Sequence, residues 1–327
     1  MKRWGIVKKG STLILALILS AVLSSIQPIQ AADKYPSKPV QLIVPWKAGG
    51  DTDALLRIIA HFAGKYLGES MVVVNVPGVG GTMGARQGKD AKPDGYTLTA
   101  THESVISSLI TGVADFDFSA FIPVANMVST PEIVAARKDA PWKDMKELVA
   151  DAKKNPGSIK FGSTLGSTSH FFPLEIADAA GIKFKIVGYE GTADRQTALL
   201  GGFIDLGGSN PASGKKYFEA KRLKGLGIAT EKRHPLLPDM PTLKEQGIDV
   251  VFAVNRGICA PLNTPKPIID KLGQVFKQVS EDPEYVQKIA TLGTDIVYRD
   301  PAGYKAYIEK ASTTWMRLAD QIGLKKK

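Results

Sequence analysis

The sequence predicts an α/β fold in two lobes, with the chain passing from one lobe to the other and back. Three observations predict it. Short apolar strands alternate with glycine loops and helical stripes along the chain. With an N-terminal leader set aside, about 300 residues remain, more than a single core usually organises. No long linker separates two self-contained halves. Two connecting strands are therefore expected as a hinge, with crossings near residues 132 and 256. This places 33–132 and 257–327 in one lobe and 133–256 in the other.

The leader is residues 1–31. Lys2, Arg3, Lys8 and Lys9 form a positive start, and no acidic residue precedes Asp33. The apolar run Thr12 to Leu23 is shorter than the roughly 20 residues that span a bilayer. Pro28 breaks it, and Ala31 and Ala32 offer the small residues of a cleavage site, so a signal peptide cut after Ala31 is expected. An uncleaved anchor is the alternative. No cysteine follows the run, which argues against a lipid anchor, and the mature chain is expected in the periplasm. The full chain carries 42 basic and 32 acidic residues. Four of the basic ones lie in the leader, leaving 38 against 32, a net +6 that suits a small anionic ligand as well as simple solubility. The basic residues are scattered, without the aromatic-interleaved clusters of a nucleic-acid binder. Cys259 is the single cysteine, in an apolar stretch, and reads as a core residue; no intramolecular disulfide is possible.

Each element follows from local pattern. Val40 to Val44 is an apolar strand leading into Pro45 to Thr52, a glycine loop. Asp53 to Leu67 then has Leu55, Leu56, Ile58, Ile59 and Phe62 at helical spacing. Met71 to Val76 is a strand ended by Pro77-Gly78. A short helix, the turn Pro93-Asp94-Gly95 and the strand Tyr96 to Ala100 complete a unit that favours parallel pairing. In the second set, a helix runs from Pro141 to Lys153 and stops at Asn155-Pro156-Gly157. The strand Ile159 to Gly162 leads into Ser163 to Thr168 and a helix to Ala180. Strand Phe184 to Val187, helix Ala193 to Leu200 and strand Phe203 to Leu206 follow. Leu223 to Ala229 and Val250 to Val254 are further strands. Helices near Pro267 to Ser280, Pro283 to Leu292 and Pro301 to Ile322 close the chain.

Enzyme signatures are scarce. There is no H-E-x-x-H, no C-x-x-C, no Walker A lysine and no G-x-S-x-G, and His61, His102, His170 and His234 lack metal-ligand spacing. No catalytic residue, metal or cofactor is assigned. Gly78 to Gly84 resembles a dinucleotide loop but has Met83 at the third glycine position, and reads as a tight turn into a helix. Two loops stand out: Ala48-Gly49-Gly50-Asp51-Thr52 and Gly162-Ser163-Thr164-Leu165-Gly166-Ser167-Thr168. Each lies between a strand and a helix start, where unpaired N–H groups and a partial positive charge can hold an anion. The plain alternative is capping: Asp51, Thr52 or Asp53 for the first helix and Ser167 or Thr168 for the second, worth about 1 kcal/mol each. Asp53 is expected to accept hydrogen bonds from its own loop.

Several ordered stretches carry a family resemblance: Tyr35 to Val40, Pro45 to Asp53 (PWKAGGDTD), Asn75 to Ala85 (NVPGVGGTMGA), Pro93 to Tyr96, Phe161 to His170 (FGSTLGSTSH), Tyr189 to Gly191, Ala198 to Asp205 (ALLGGFID) and Leu237 to Leu243 (LPDMPTL). In this order, over essentially the whole mature chain, they resemble the solute-binding receptors of tripartite tricarboxylate transporters, also called Bug receptors. The resemblance implies a two-lobe periplasmic binding protein of the Venus-flytrap kind. It would close on a small carboxylate-bearing solute and serve integral membrane transporter subunits, itself not membrane-embedded and monomeric. It also implies that Ala48, Gly49, Gly50, Thr52 and Asp53 in the first loop, and Ser163, Thr164, Gly166, Ser167 and His170 in the second, line the ligand site.

The chain departs from the family pattern at Thr164 and Leu165, where Pro and Gly are usual, at Trp46, Lys47 and Asp51, and at Asn255, where Trp is frequent. Trp46 is expected as an apolar wall, and Lys47 and Arg256 as distal charge contacts. Thr101, His102 and Glu103 follow a strand end and are placed at the cleft, where Glu103 would favour a solute with a polar or cationic end. Two other readings stay open: a periplasmic two-domain enzyme using His102 and Glu103 on an anionic substrate, and a sensor that presents its closed form to a signalling partner.

Overall fold

The computed structural model describes residues 35–321; the leader read over residues 1–31 and the expected helix end at Ile322 lie outside them. The chain opens with β1 (Val40–Val44), buried except at Gln41. Helix α1 (Asp51–Leu67) turns Leu55, Leu56, Ile59 and Phe62 inward and ends at Gly68, whose left-handed φ of 80° lets its N–H reach Gly64 O. β2 (Met71–Asn75) is followed by a 3-10 turn at Val79–Gly81 and by α2 (Thr82–Lys89). Gly78 to Gly84 is thus the tight turn into a helix that its sequence suggests. A Cβ at Gly84 would stand 2.6 Å from Val76 O, and one at Gly88 would overlap Thr99 Oγ1, so these glycines let α2 lie directly on the sheet.

β3 (Thr97–Thr101), α3 (Ser104–Ile110), β4 (Phe121–Pro131), β10 (Ala253–Pro261), α8 (Lys266–Glu281), α9 (Pro283–Thr291), β11 (Asp295–Arg299) and α10 (Pro301–Gln321) complete the first lobe's elements. Its six-stranded sheet has the order β11-β4-β10-β3-β1-β2. The second sheet, ordered β7-β6-β8-β5-β9, is built from β5 (Ile133–Arg137), β6 (Lys160–Ser163), β7 (Lys185–Gly188), β8 (Leu206–Ser209) and β9 (Leu223–Ile228). Between them run α4 (Met145–Lys154), α5 (Thr168–Ala180), α6 (Thr192–Leu200) and α7 (Pro211–Glu219).

The parallel pairing expected from the strand–helix alternation holds only in part. β1 pairs parallel with β2 and β3, and β6 with β7 and β8. β10 pairs antiparallel with β3 and β4, β11 with β4, and β5 with both β8 and β9. Each of these antiparallel pairs includes β4, β5 or β10, the strands at which the chain changes lobes. β4 pairs with β10 as far as Pro131↔Ala253, and β5 begins in the other sheet at Ile133, so Glu132 alone separates the two sheets there.

Three element boundaries differ from expectation. The helix expected from Pro141 starts at Met145, because Asp144 accepts the Glu147 N–H at 2.9 Å and caps it. Phe203 is not in a strand: its N–H returns to Ala198 O, it is 72% exposed, and β8 begins at Leu206. The strand expected at Val250 to Val254 instead runs Ala253–Pro261, with Cys259 fully buried inside it. Late in α10, Trp315 stacks on Phe171 of α5 with ring centres 4.5 Å apart, so the last helix also packs against the second lobe. Among the described residues no helix is long and apolar enough to cross a membrane.

Candidate functional site

Three helices start at one crevice between the lobes. Gly50 precedes α1, Ser167 precedes α5 and Gly191 precedes α6, and none of the three supplies a side-chain cap. Asp144, Asn210 and Asp282 cap α4, α7 and α9, whereas α2, α3 and α8 also start without a side-chain cap. The capping reading of the two loops is therefore overturned. The Asp53 carboxylate instead accepts from Gly49 N–H at 2.9 Å, Asn75 Nδ2 at 2.9 Å and Arg57 Nε at 3.0 Å, which fixes the first loop as expected. Burial alone would raise its pKa; the Arg57, Gly49 and Asn75 hydrogen bonds outweigh that and hold it below the usual range. Ser167 Oγ lies 3.2 Å from Ser169 Oγ, and Thr168 Oγ1 lies 2.7 Å from His102 Nδ1. First-turn N–H groups of three helices are left to whatever occupies the crevice.

The crevice measures about 660 Å³ with its open mouth included. Trp46, Lys47, Gly50, Asp51, Thr52 and Asp53 line it from the first loop, and Thr164, Ser167, Thr168 and Ser169 from the second. Gly191 to Arg195 form a third wall, with His102, Glu132, Val254 and Arg256 completing it. The Trp46 ring stacks on His102 with centres 4.0 Å apart, and its carbonyl accepts from Asn75 Nδ2. His102 Nδ1 accepts the Ser104 N–H at 3.1 Å. Burial, then the nearby Arg256 charge, depress its pKa well below the ordinary value, so the ring is neutral and carries its proton on Nε2.

Two guanidinium groups give the crevice its character. Arg195 is 6% exposed; its terminal nitrogens donate to Thr164 Oγ1 at 2.8 Å, Ser169 Oγ at 3.1 Å and Thr192 Oγ1 at 3.2 Å, while its Nε has no partner. Arg256 is 5% exposed and donates to Thr52 Oγ1 at 2.9 Å and Thr130 Oγ1 at 2.7 Å. All of these side-chain partners are neutral hydroxyls, and among the described residues no carboxylate lies within the 4.0 Å of an ion pair with either arginine. A buried cation without a counter-ion is costly, and one supplied by each lobe marks a place for an anion.

Two carboxylates stand in the same space, equally without direct partners. Glu132 and Asp51 are half-buried, and no described donor reaches either side chain. Burial pushes Glu132 up to about 7, against the pull of Arg195 and Arg256 and with a contribution from Asp51. At the mouth Lys47 Nζ meets Asp194 Oδ2 at 3.0 Å.

Some expected site residues stay out of the crevice lining. Ala48 and Gly49 are exposed on the outer part of their loop. Thr101 Oγ1 is spent on Cys259 Sγ and Tyr304 OH. Ser163 is buried behind the loop. Gly166 turns its carbonyl to Ser107 Oγ and Ser108 Oγ of α3, tying the lobes together. His170 faces back toward the Gly166 N–H. Glu103 is also absent: Tyr307 OH, Asn255 N and Asn255 Nδ2 all donate to its buried carboxylate, which keeps its pKa rise from burial in check. Of the proposed acid–base pair, only His102 reaches the crevice. Among the described residues no group of His, Cys, Asp or Glu is arranged to hold a metal.

The residues missed from sequence are Arg195, Glu132 and the whole start of α6. A signal existed: Tyr189-Glu190-Gly191 stands between strand and helix as the other two loops do, and Arg195 precedes the buried Ala198 and Leu199 by three and four residues, on the apolar stripe.

The sequence profile of the Tripartite tricarboxylate transporter family receptor matches residues 55–324. The chain belongs to this receptor family. It is 33% identical over 317 residues, 96% of this chain and 91% of the relative, to the UPF0065 protein in the TAR-I ttuE-ttuC' intergenic region of Agrobacterium vitis. The periplasmic binding protein BugD superposes with a TM-score of 0.82 at 30% identity, covering 90% of this chain and all of BugD. MatC from Rhodopseudomonas palustris, solved with bound malate, superposes with a TM-score of 0.81 at 25% identity over 87% of this chain and 99% of MatC. The tripartite tricarboxylate receptors are solute-binding proteins rather than enzymes, and the two-lobe arrangement with its crevice is theirs.

Proposed function

We propose that this chain is an exported receptor that closes on a small carboxylate-bearing solute and hands it to the membrane subunits of a tripartite transporter. The observation that carries the reading is the convergence of three uncapped helix starts and two counter-ion-free arginines on one interlobe crevice. Such a surface exchanges the hydration of an anion for fixed donors already in place. MatC's bound malate supports a carboxylate as the guest. The remaining parts of the reading are a periplasmic protein released by cleavage after Ala31, working as a monomer, without cofactor or catalysis. Its lobes are 33–132 with 257–327, and 133–256, corrected at the second crossing: β10 already carries Ala253 to Arg256 in the first lobe's sheet. Ala48, Gly49, Thr101, Ser163, Gly166 and His170 then shape or hinge the site, while Trp46, Gly50, Asp51, Thr52, Thr164, Ser167 and Arg256 face the solute.

A thermal-shift screen of the full chain against mono-, di- and tricarboxylates tests it. A true ligand at about a hundred times its Kd adds roughly 2.7 kcal/mol. Failure of every carboxylate to stabilise the protein overturns the reading.

A further inference from the structure

The crevice is ambipolar. Among the described residues, Arg195 from one lobe and Arg256 from the other have no carboxylate at ion-pairing distance, and Asp51 and Glu132 have no donor. All four line the same space. Two positive and two negative groups that could have paired are instead held apart. Arg195 is held by Thr164, Ser169 and Thr192, and Arg256 by Thr52 and Thr130. Glu132 is fixed by its place as the single residue between β4 and β5, its main chain bonded to Phe252 O and Ala229 N. Gly208 on β8 makes room for it, since a Cβ there would stand 2.6 Å from Glu132 Oε2. A solute that carries only negative charge would satisfy the arginines and leave two carboxylates facing it unpaired, a repulsion that grows in a desolvated site. A solute with both signs satisfies all four groups and leaves the charge balance of the site unchanged.

We infer that the solute of this receptor bears an amine as well as a carboxylate, the carboxylate lying against Arg195 and Arg256 and the ammonium against Glu132 and Asp51. This rests on the carboxylate-receptor reading above and narrows it to amino-carboxylates. Glu132 is then the residue that reads the amine, and Gly208 the residue that allows it to.

The test is calorimetric titration of the full chain with matched probes that differ by one amine: acetate and glycine, propionate and β-alanine, succinate and aspartate, glutarate and glutamate. In the pair that fits the crevice, the amine-bearing member should bind at least about ten-fold more tightly. In Glu132→Gln that preference should fall below about three-fold, with the amine-free member bound as well as before or better. Gly208→Ala, which displaces the carboxylate without removing it, should erode the same preference. The pH profile gives a second readout. The charged groups acting on Glu132 are Arg195 of α6, Asp51 at the start of α1 and Arg256 of β10. As Glu132 ionises near neutral pH, the amine-bearing probe should gain affinity and the amine-free probe lose it, and both trends should vanish in Glu132→Gln. Equal or tighter binding of the amine-free member in every pair that binds overturns the inference while leaving the carboxylate receptor standing. So does a preference that survives in Glu132→Gln. Binding of no probe here and of no carboxylate in the wider screen overturns both.

Discussion

Lys47 Nζ lies 3.0 Å from Asp194 Oδ2, and the two residues come from different lobes: Lys47 from the loop before α1, Asp194 from the first turn of α6. With the buried contacts of Thr168 to His102 and of Gly166 to Ser107 and Ser108, this pair links the two lobes beside the crevice. The side chains keep 50% and 42% of their exposure, so the pair adds little to the stability of the fold, about 0–1 kcal/mol. Its effect is expected on solute exchange rather than on folding.

Lys47→Asp and Asp194→Lys should each speed solute release, by about two- to five-fold at low salt, and the double exchange should restore the slow rate. Stopped-flow release measured at low and high ionic strength checks this. The effect of the single variants should shrink as salt is added.

Arg195→Met is expected to separate binding from stability. Replacing a buried charge that lacks a counter-ion by an apolar chain of similar length is neutral or stabilising, whereas the solute loses a charged hydrogen-bond partner, about 1.5–3 kcal/mol. Urea unfolding should show an unchanged or raised midpoint while affinity falls at least about ten-fold. A fall in both together would make Arg195 a structural residue.

Gly50→Val addresses the backbone at the start of α1. A Cβ at Gly50 meets only Lys47 O, at 3.6 Å, and the φ of −83° suits any residue. The fold should therefore tolerate the change, within about 1 kcal/mol. The branched side chain would stand in the crevice, where Gly50 now leaves the neighbouring N–H groups open. Loss of ligand-induced stabilisation with little change in the unliganded melting temperature is the expected result.

Glu175 on α5 gives a pH prediction for stability. Burial, reinforced by the nearby Glu103 charge, pushes its carboxyl up to about 8 from the model-compound value of 4.5. Below pH 4.5 it is protonated in both folded and unfolded chains and has no effect. Between that pH and about 8 the folded state holds the proton and the unfolded state does not, so stability declines as pH rises, and the loss is complete above pH 8. Glu175→Gln should match the parent chain near pH 4.5 and exceed it in the alkaline range, by up to about 5 kcal/mol. Chemical denaturation at the two ends of the range reads the difference.

The sequence by itself determined the alternation of strand and helix, the two glycine loops and the family. These are local signals: apolar spacing sets β1, α1 and α5, and ordered motifs from Pro45 to Leu243 identify the receptor. Asp53's role in holding its own loop was legible for the same reason, since its partner Gly49 lies four residues away. Only the tertiary structure decided that the sheets are mixed, because β4, β10 and β5 pair with strands far along the chain. It also decided that Thr101 and Glu103 are consumed by Cys259, Tyr304, Asn255 and Tyr307. Arg195 and Glu132 look in sequence like an ordinary helix arginine and an ordinary acidic residue between strands. Their meaning depends on which charges stand near them and which donors do not, and those distances exist only once two lobes, joined at Glu132, face each other across water.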